Sequence, residues 1–286
     1  MILETIKSRW DELLKDGIIH YFPESNVQKI LDQGAFPIKV KYAPERANRI
    51  KNQDSQTLPL GARIWIRKDC LYEFNKLILL ANTRPVGEYH CILCSRLFHP
   101  QNDISYDEIN EITDIVERFG LRGFLNLVGT AATLNHFHAQ ILVDKFNIES
   151  LHRIEVGQGY YLLDKYPGSH ILITGSIEER CKNLFKIIEK LKKSELPYTV
   201  MKNGTLADSP LFTLLFWDNN ILLVPRKKEW SPITGAMVGG LELSGYFLFS
   251  SVVRPNEPFE GLKYTDLIKT ISKVTFSNNE TEFLYN

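Results

Sequence analysis

Apolar residues at positions 2, 3, 6, 10, 13 and 14 recur at helical spacing, which predicts an amphipathic helix over Ile2–Leu14 with lysines and glutamates outward. Ser25 to Gln33 reads as a second short helix, capped by Ser25 and stopped by Gly34. From Phe36 to Arg67 the pattern is interrupted by Pro37, Pro44 and Pro59 and by the polar run NQDSQT at 52–57. An excursion with some strand character (IKVKY, RIWI) and an exposed loop is expected there. KLILLAN at 76–82, followed by a Pro-Val-Gly turn, and YHCILC at 89–94 are apolar runs of strand length. Ser105 with Glu108 three residues on forms a capping-box signature, ahead of a stripe made by Ile109, Ile112, Ile115 and Val116. Phe124–Val128 and Ala139–Val143 complete the first half as two strands.

The second half has the same texture. SHILIT at 169–174 is a strand, and Ile177–Lys193 is the longest helix, with Cys181, Leu184, Ile187, Ile188 and Leu191 on its apolar face. Strands are expected at 198–201, 211–216 and 221–224, then a late strand at 245–251 and a closing helix over Tyr264–Val274. Strands in runs, interrupted by single helices, define an α+β class with an antiparallel sheet. The recurrence predicts two related half-domains sharing one sheet, residues 1–150 and 151–286, although no residue-level repeat is visible.

Charge and composition narrow the function classes. Thirty-four basic and 34 acidic side chains cancel, which removes the basic excess expected of a nucleic-acid or membrane-surface binder. A hydrophobic fraction of 44% with 24% charged residues is ordinary globular usage and argues against disorder or fibrous repeats. Four cysteines are too few for a disulfide scaffold in 286 residues, the first fifteen residues lack a signal-peptide core, and no run is long enough to span a bilayer. A cytoplasmic protein with reduced thiols is expected, and the aromatic content permits a homodimer.

Chemistry concentrates in NLVGTAATLNHFHAQ, residues 126–140. Gly129 to Ala132 are small, and small residues let backbone amides and the side chains of Asn126, Thr133 and Asn135 approach an oxyanion. His136, His138 and Gln140 alternate, so a strand would present all three on one face. That set supplies a nucleophile, a group to orient it and a neutral donor, which suits attack on phosphorus, since imidazole is nucleophilic near neutral pH. The alternative is an edge or core strand with two satisfied histidines.

The stretch resembles the active-site strand of the histidine triad (HIT-like) superfamily, in its H-x-H-x-Q branch of hexose-1-phosphate uridylyltransferases and nucleotide phosphorylases. The likeness is to the GDP-hexose phosphorylases, through Asn126, Gly129, Ala132, Thr133, Asn135, His136, His138 and Gln140. Residues 79–105, 166–175 and 194–203 resemble flanking segments of that family. The resemblance implies a nucleotidyltransferase needing no cofactor: His138 attacks the α-phosphorus of a nucleoside diphosphate hexose, and inorganic phosphate then releases a nucleoside diphosphate. It implies that His136 supports the strand by a hydrogen bond, that Gln140 binds the transferring phosphate, and that Asn126, Thr133 and Asn135 contact phosphate or ribose. A dinucleoside polyphosphate phosphorylase and a uridylyltransferase share this logic, and a nucleotide-binding module without turnover is the competing class.

Two further groups are candidates. Residues 39–51 resemble an upstream family segment through Pro44 and Arg46, and Arg46, Arg49 and Lys51 are placed to ring the diphosphate or incoming phosphate, or else form a solvated basic loop. Arg226, Lys227 and Lys228 offer the same from the second half. Cys91-x-x-Cys94 lacks a second ligand pair, and strand alternation sets the two thiols on opposite faces, so no metal is assigned.

Overall fold

The computed structural model describes residues 2–31, 36–44, 68–196, 209–250 and 259–285, and among these it has thirteen strands and six α-helices. Helix α1 (Ile2–Lys15) buries Ile6, Trp10 and Leu13, as its periodicity predicts. Strand β1 (Val27–Leu31) follows a single 3₁₀ turn at Pro23–Ser25 and pairs antiparallel with β2 (Ile38–Tyr42). The short helix expected from Ser25 is therefore a strand. Pairing with β2 satisfies its backbone, and its side chains, mostly exposed, form no helical stripe.

Strands β3 (Cys70–Glu73), β4 (Leu77–Ala81) and β5 (Cys91–Ser95) lead into α2 (Tyr106–Phe119), then β6 (Arg122–Asn126) and β7 (His138–Leu142). Strands β8 (Arg153–Gly157), β9 (Tyr160–Leu163) and β10 (Ile171–Thr174) lead into α3 (Ile177–Lys192), then β11 (Phe212–Trp217) and β12 (Asn220–Pro225). These ten strands form one antiparallel sheet ordered β3-β4-β5-β7-β6-β11-β12-β10-β9-β8. The spatial order 3-4-5-7-6 of one half returns as 8-9-10-12-11 in the other, and the halves meet where Asn126 of β6 pairs with Thr213 of β11. The β8–β9 hairpin has no counterpart in the sequence reading, because its largely exposed edge strand lacks an apolar run. Tyr198–Met201, RIWI and the loop at 52–57 lie outside the described residues.

Ser105 occupies the N-cap of α2, but the predicted capping box does not form. The Glu108 carboxylate instead accepts from Nε2 of His99 at 2.9 Å. The box forms on α3, where Ser176 and Glu179 cap each other.

Alternation along the strands divides the core. Ile141, Leu214 and Leu223 pack with α1, α2 and α3 on one face, whereas Leu142, Leu215, Leu222 and Val224 pack on the other. That second face is covered by α5 (Tyr264–Val274) and by a small sheet of β1, β2 and β13 (Tyr246–Phe249), the latter preceded by the short α4 (Gly240–Leu243). A last short helix, α6 (Asn278–Thr281), follows α5. Cys91 and Cys94 fall in different core clusters on opposite faces, and burial pushes the Cys91 thiol up to about 12. No helix among the described residues is long and apolar enough to cross a membrane.

Candidate active site

On the face carrying α4 and β13, β6 and β7 floor a cavity of about 500 Å³. His138 and Gln140 of β7, Asn126 at the end of β6, and Ala131 to Thr133 of the intervening turn line one side. Trp230, residues 234–237, Gly239 to Glu242, and Leu248 to Ser250 form the other. Gly240 sits so close to the floor that an added Cβ would lie 2.5 Å from Cβ of Phe124, so only glycine lets this wall approach.

His138 is 7% exposed, and its Nδ1 donates to the backbone carbonyl of His136 at 2.7 Å. A carbonyl only accepts, so Nδ1 carries the proton and the lone pair of the neutral ring lies on Nε2. The backbone of the same residue is held by Gln101, which is fully buried. The His138 N–H donates to Oε1 at 2.8 Å, and Nε2 of Gln101 donates to the carbonyls of His138 at 2.9 Å and Asn126 at 2.6 Å. One side-chain amide thus ties the end of β6 to the start of β7 at His138.

His136 precedes β7, is 1% exposed and does not line the cavity. Its ring lies against Phe98 at 5.4 Å, and burial, with a contribution from His138, lowers its pKa to about 4. It acts on His138 through its backbone, so only two of the three alternating residues share the cavity face.

Gln140 is linked to a residue that spacing did not single out as part of this site. His90 is buried, and its Nε2 lies 2.6 Å from Oε1 of Gln140, to which Nδ2 of Asn82 also donates at 3.4 Å. The strand run YHC was legible in the sequence, but the contact spans 50 residues and depends on β5 pairing with β7. Asn126 is anchored similarly. Its Oδ1 accepts from the Gly240 N–H at 2.9 Å and from the Thr213 hydroxyl at 3.3 Å.

The turn between β6 and β7 is tightly wound. Gly129 is buried with φ +98°, and Ala131 has φ +93°, a conformation that residues other than glycine rarely adopt. The Ala131 N–H donates to Glu229 at 3.1 Å. Thr133 is exposed and lines the cavity. Asn135 lies outside the lining, where its Oδ1 accepts from the backbone N–H of Gln101 at 3.1 Å. Arg46, Arg49 and Lys51 lie outside the described residues. Nearer the start of that segment, Lys41 is buried and donates to the carbonyl of Val86, a cavity residue, at 2.6 Å.

Arg226 is fully buried and donates to Oγ1 of Thr213 at 3.0 Å and to the Val238 carbonyl at 2.7 Å, while Lys227 pairs with Glu280 at 2.9 Å. Neither these two nor Lys228 lines the cavity, and the side chains of Arg226 and Lys227 brace the second half. Among the described residues no Lys or Arg lines the cavity. The carboxyl of Glu242, held by the Gly239 N–H at 2.8 Å, is pushed up to about 7 by burial. An imidazole whose lone pair is on Nε2, with the carboxamides of Asn126 and Gln140 on the same cavity, is an arrangement that can serve group transfer at a phosphorus centre.

The ten-stranded α+β arrangement is a HIT-like fold. No family model matches the chain and no curated protein is similar to it. Among solved structures it is similar to yeast Ap4A phosphorylase Apa2, with a TM-score of 0.73 at 15% identity over 96% of this chain and 97% of that one. The same yeast protein in complex with Ap4A gives 0.66 at 15% identity, covering 96% and 97%, and in complex with AMP 0.68 at 15%, covering 96% of each chain. At that identity, the fold is what the two proteins share.

Proposed function

We propose that the chain is a nucleotidyltransferase that phosphorolyses a nucleotide substrate through a covalent nucleotidyl-His138 intermediate. The observation that carries this reading is the bond from Nδ1 of His138 to the His136 carbonyl, which places the lone pair on Nε2 in a residue lining the cavity. Nε2 attacks the α-phosphorus, a P–N bond forms, and the bridging P–O bond breaks with its electron pair leaving on the departing phosphate. An oxygen of inorganic phosphate then attacks the same phosphorus, the P–N bond breaks, and a nucleoside diphosphate departs with the imidazole restored. Asn126 and Gln140 donate to the non-bridging oxygens in both steps, and catalysis rests on positioning and electrostatics.

The resemblance in the motif favours a GDP-hexose as substrate. The likeness in length and fold to the yeast Ap4A phosphorylase favours a dinucleoside polyphosphate. The deciding experiment is intact-protein mass after incubation with diadenosine tetraphosphate, GDP-glucose, UDP-glucose or ADP-glucose without phosphate. A gain of one nucleoside monophosphate, absent in His138→Ala, establishes the intermediate and names the base. Binding without any adduct would turn the reading to a nucleotide-binding module.

A further inference from the structure

The hydrogen bonds around His90 determine which end of the Gln140 amide meets a substrate. The Val86 N–H donates to Nδ1 of His90 at 3.0 Å, so that nitrogen is an acceptor without a proton. The neutral ring then carries its proton on Nε2, and this N–H points at Oε1 of Gln140 across 2.6 Å. Nδ2 of Asn82 adds a second donor to the same oxygen at 3.4 Å. With the amide reversed, the Gln140 NH₂ would face two donors in a part-buried network and leave them without an acceptor.

We infer that His90 is a positioning residue, which locks the Gln140 carboxamide oxygen away from the cavity so that its NH₂ is presented beside His138 to the oxygens of a bound phosphate. The inference rests on the proposed nucleotidyl transfer for its consequence and on local chemistry alone for its geometry. A lone glutamine can turn its oxygen toward an anion and repel it; one whose oxygen is held by two donors cannot. His90 itself lines the cavity beside Gln140, and in this scheme it acts through Gln140.

Two substitutions separate the roles of the two ring nitrogens. His90→Asn keeps an acceptor for Val86 and is too short to donate to Gln140. His90→Gln carries an N–H donor out to the position of Nε2. In single-turnover adduct formation with diadenosine tetraphosphate or GDP-glucose, Gln140→Ala should slow the chemical step about 100-fold, the usual effect of removing one transition-state donor. His90→Asn should slow it comparably with little change in nucleotide Kd, His90→Gln should recover most of the rate, and His90→Asn/Gln140→Ala should be no slower than Gln140→Ala alone. Additive losses in the double variant, or a normal rate in His90→Asn, would overturn the inference. A second readout does not depend on activity: ¹⁵N-histidine spectra should report His90 as the Nε2–H tautomer, and a proton on Nδ1 would sink the idea even if turnover is never found. Absence of an adduct in the wild type, with the expected tautomer, would count against the transfer reading and leave the positioning geometry standing.

Discussion

Each half of the molecule holds a histidine whose Nδ1 donates to the carbonyl two residues earlier: His138 to His136 at 2.7 Å, and His170 to Gly168 at 2.8 Å. The bond fixes the same tautomer in both, and what the remaining nitrogen meets is different. Nε2 of His170 accepts from the Leu163 N–H at 2.6 Å in a fully buried setting, whereas His138 lines the cavity. The surrounding sheet makes the same contrast. On the face where β7 carries His138 and Gln140, the corresponding strand β12 carries Leu222 and Val224, packed in one cluster with Leu267, Ile271 and Val274 of α5. The same strand order thus carries a cavity lined by polar side chains in one half and a filled apolar face in the other. Helix α5 fills over the second, whereas the wall from Trp230 to Ser250 approaches the first at Gly240 and leaves a cavity beside it.

Experiments can break this contrast, beginning with the largest effect. His138→Ala should lower turnover by about 10⁴-fold or more while nucleotide affinity, read by calorimetry, stays near that of the wild type. Equal loss of binding would make the residue a ligand contact instead of a nucleophile. The second half should respond in stability alone. Leu222→Gln puts an amide without a partner under α5, and urea titration should show about 3 kcal/mol of lost stability with little change in adduct formation per folded molecule. Loss of adduct in the folded fraction would mean that the two halves are coupled more closely than this division implies.

Acid should affect both halves. Burial lowers His136 and His170 to about 4, so between roughly pH 6.5 and 4 the unfolded chain binds protons that the folded chain refuses. The contribution is fully kept above the unfolded value and is lost as pH falls, on the order of 3 kcal/mol for each imidazole by pH 4. Denaturant midpoints should fall as pH drops from about 6.5 to 4, less steeply than two imidazoles alone would give, because Glu242, raised to about 7, has the opposite slope below that pH, and His170→Phe should flatten that fall. A slope unchanged in His170→Phe would assign the acid sensitivity to other groups. The smallest effect concerns Thr133, which is exposed at the cavity rim. Thr133→Ser keeps the hydroxyl and should change the rate less than about threefold, within the range of a surface substitution.

The amino-acid sequence determined the α+β class, the positions of α1, α2, α3 and α5, and most strands of the large sheet, because these depend on local periodicity that a core on each side rewards. It also marked the stretch from Asn126 to Gln140, since small residues ahead of alternating polar ones are unusual in a buried strand. It misread β1, whose strand form comes from its partner β2, and the capping box of α2, where His99 takes Glu108 away from Ser105. Alternation put His136 on the cavity face, but β7 begins only at His138 and the earlier residue turns inward. Arg226, offered by its charge as a second possible phosphate contact, is a buried brace. The partners that align the site, His90, Gln101 and Asn82 with the wall from Trp230 to Ser250, were decided by tertiary structure. Their contacts join residues far apart in the chain, and a hydrogen bond of that kind exists only once the strands have paired and the sheet has excluded water from between them.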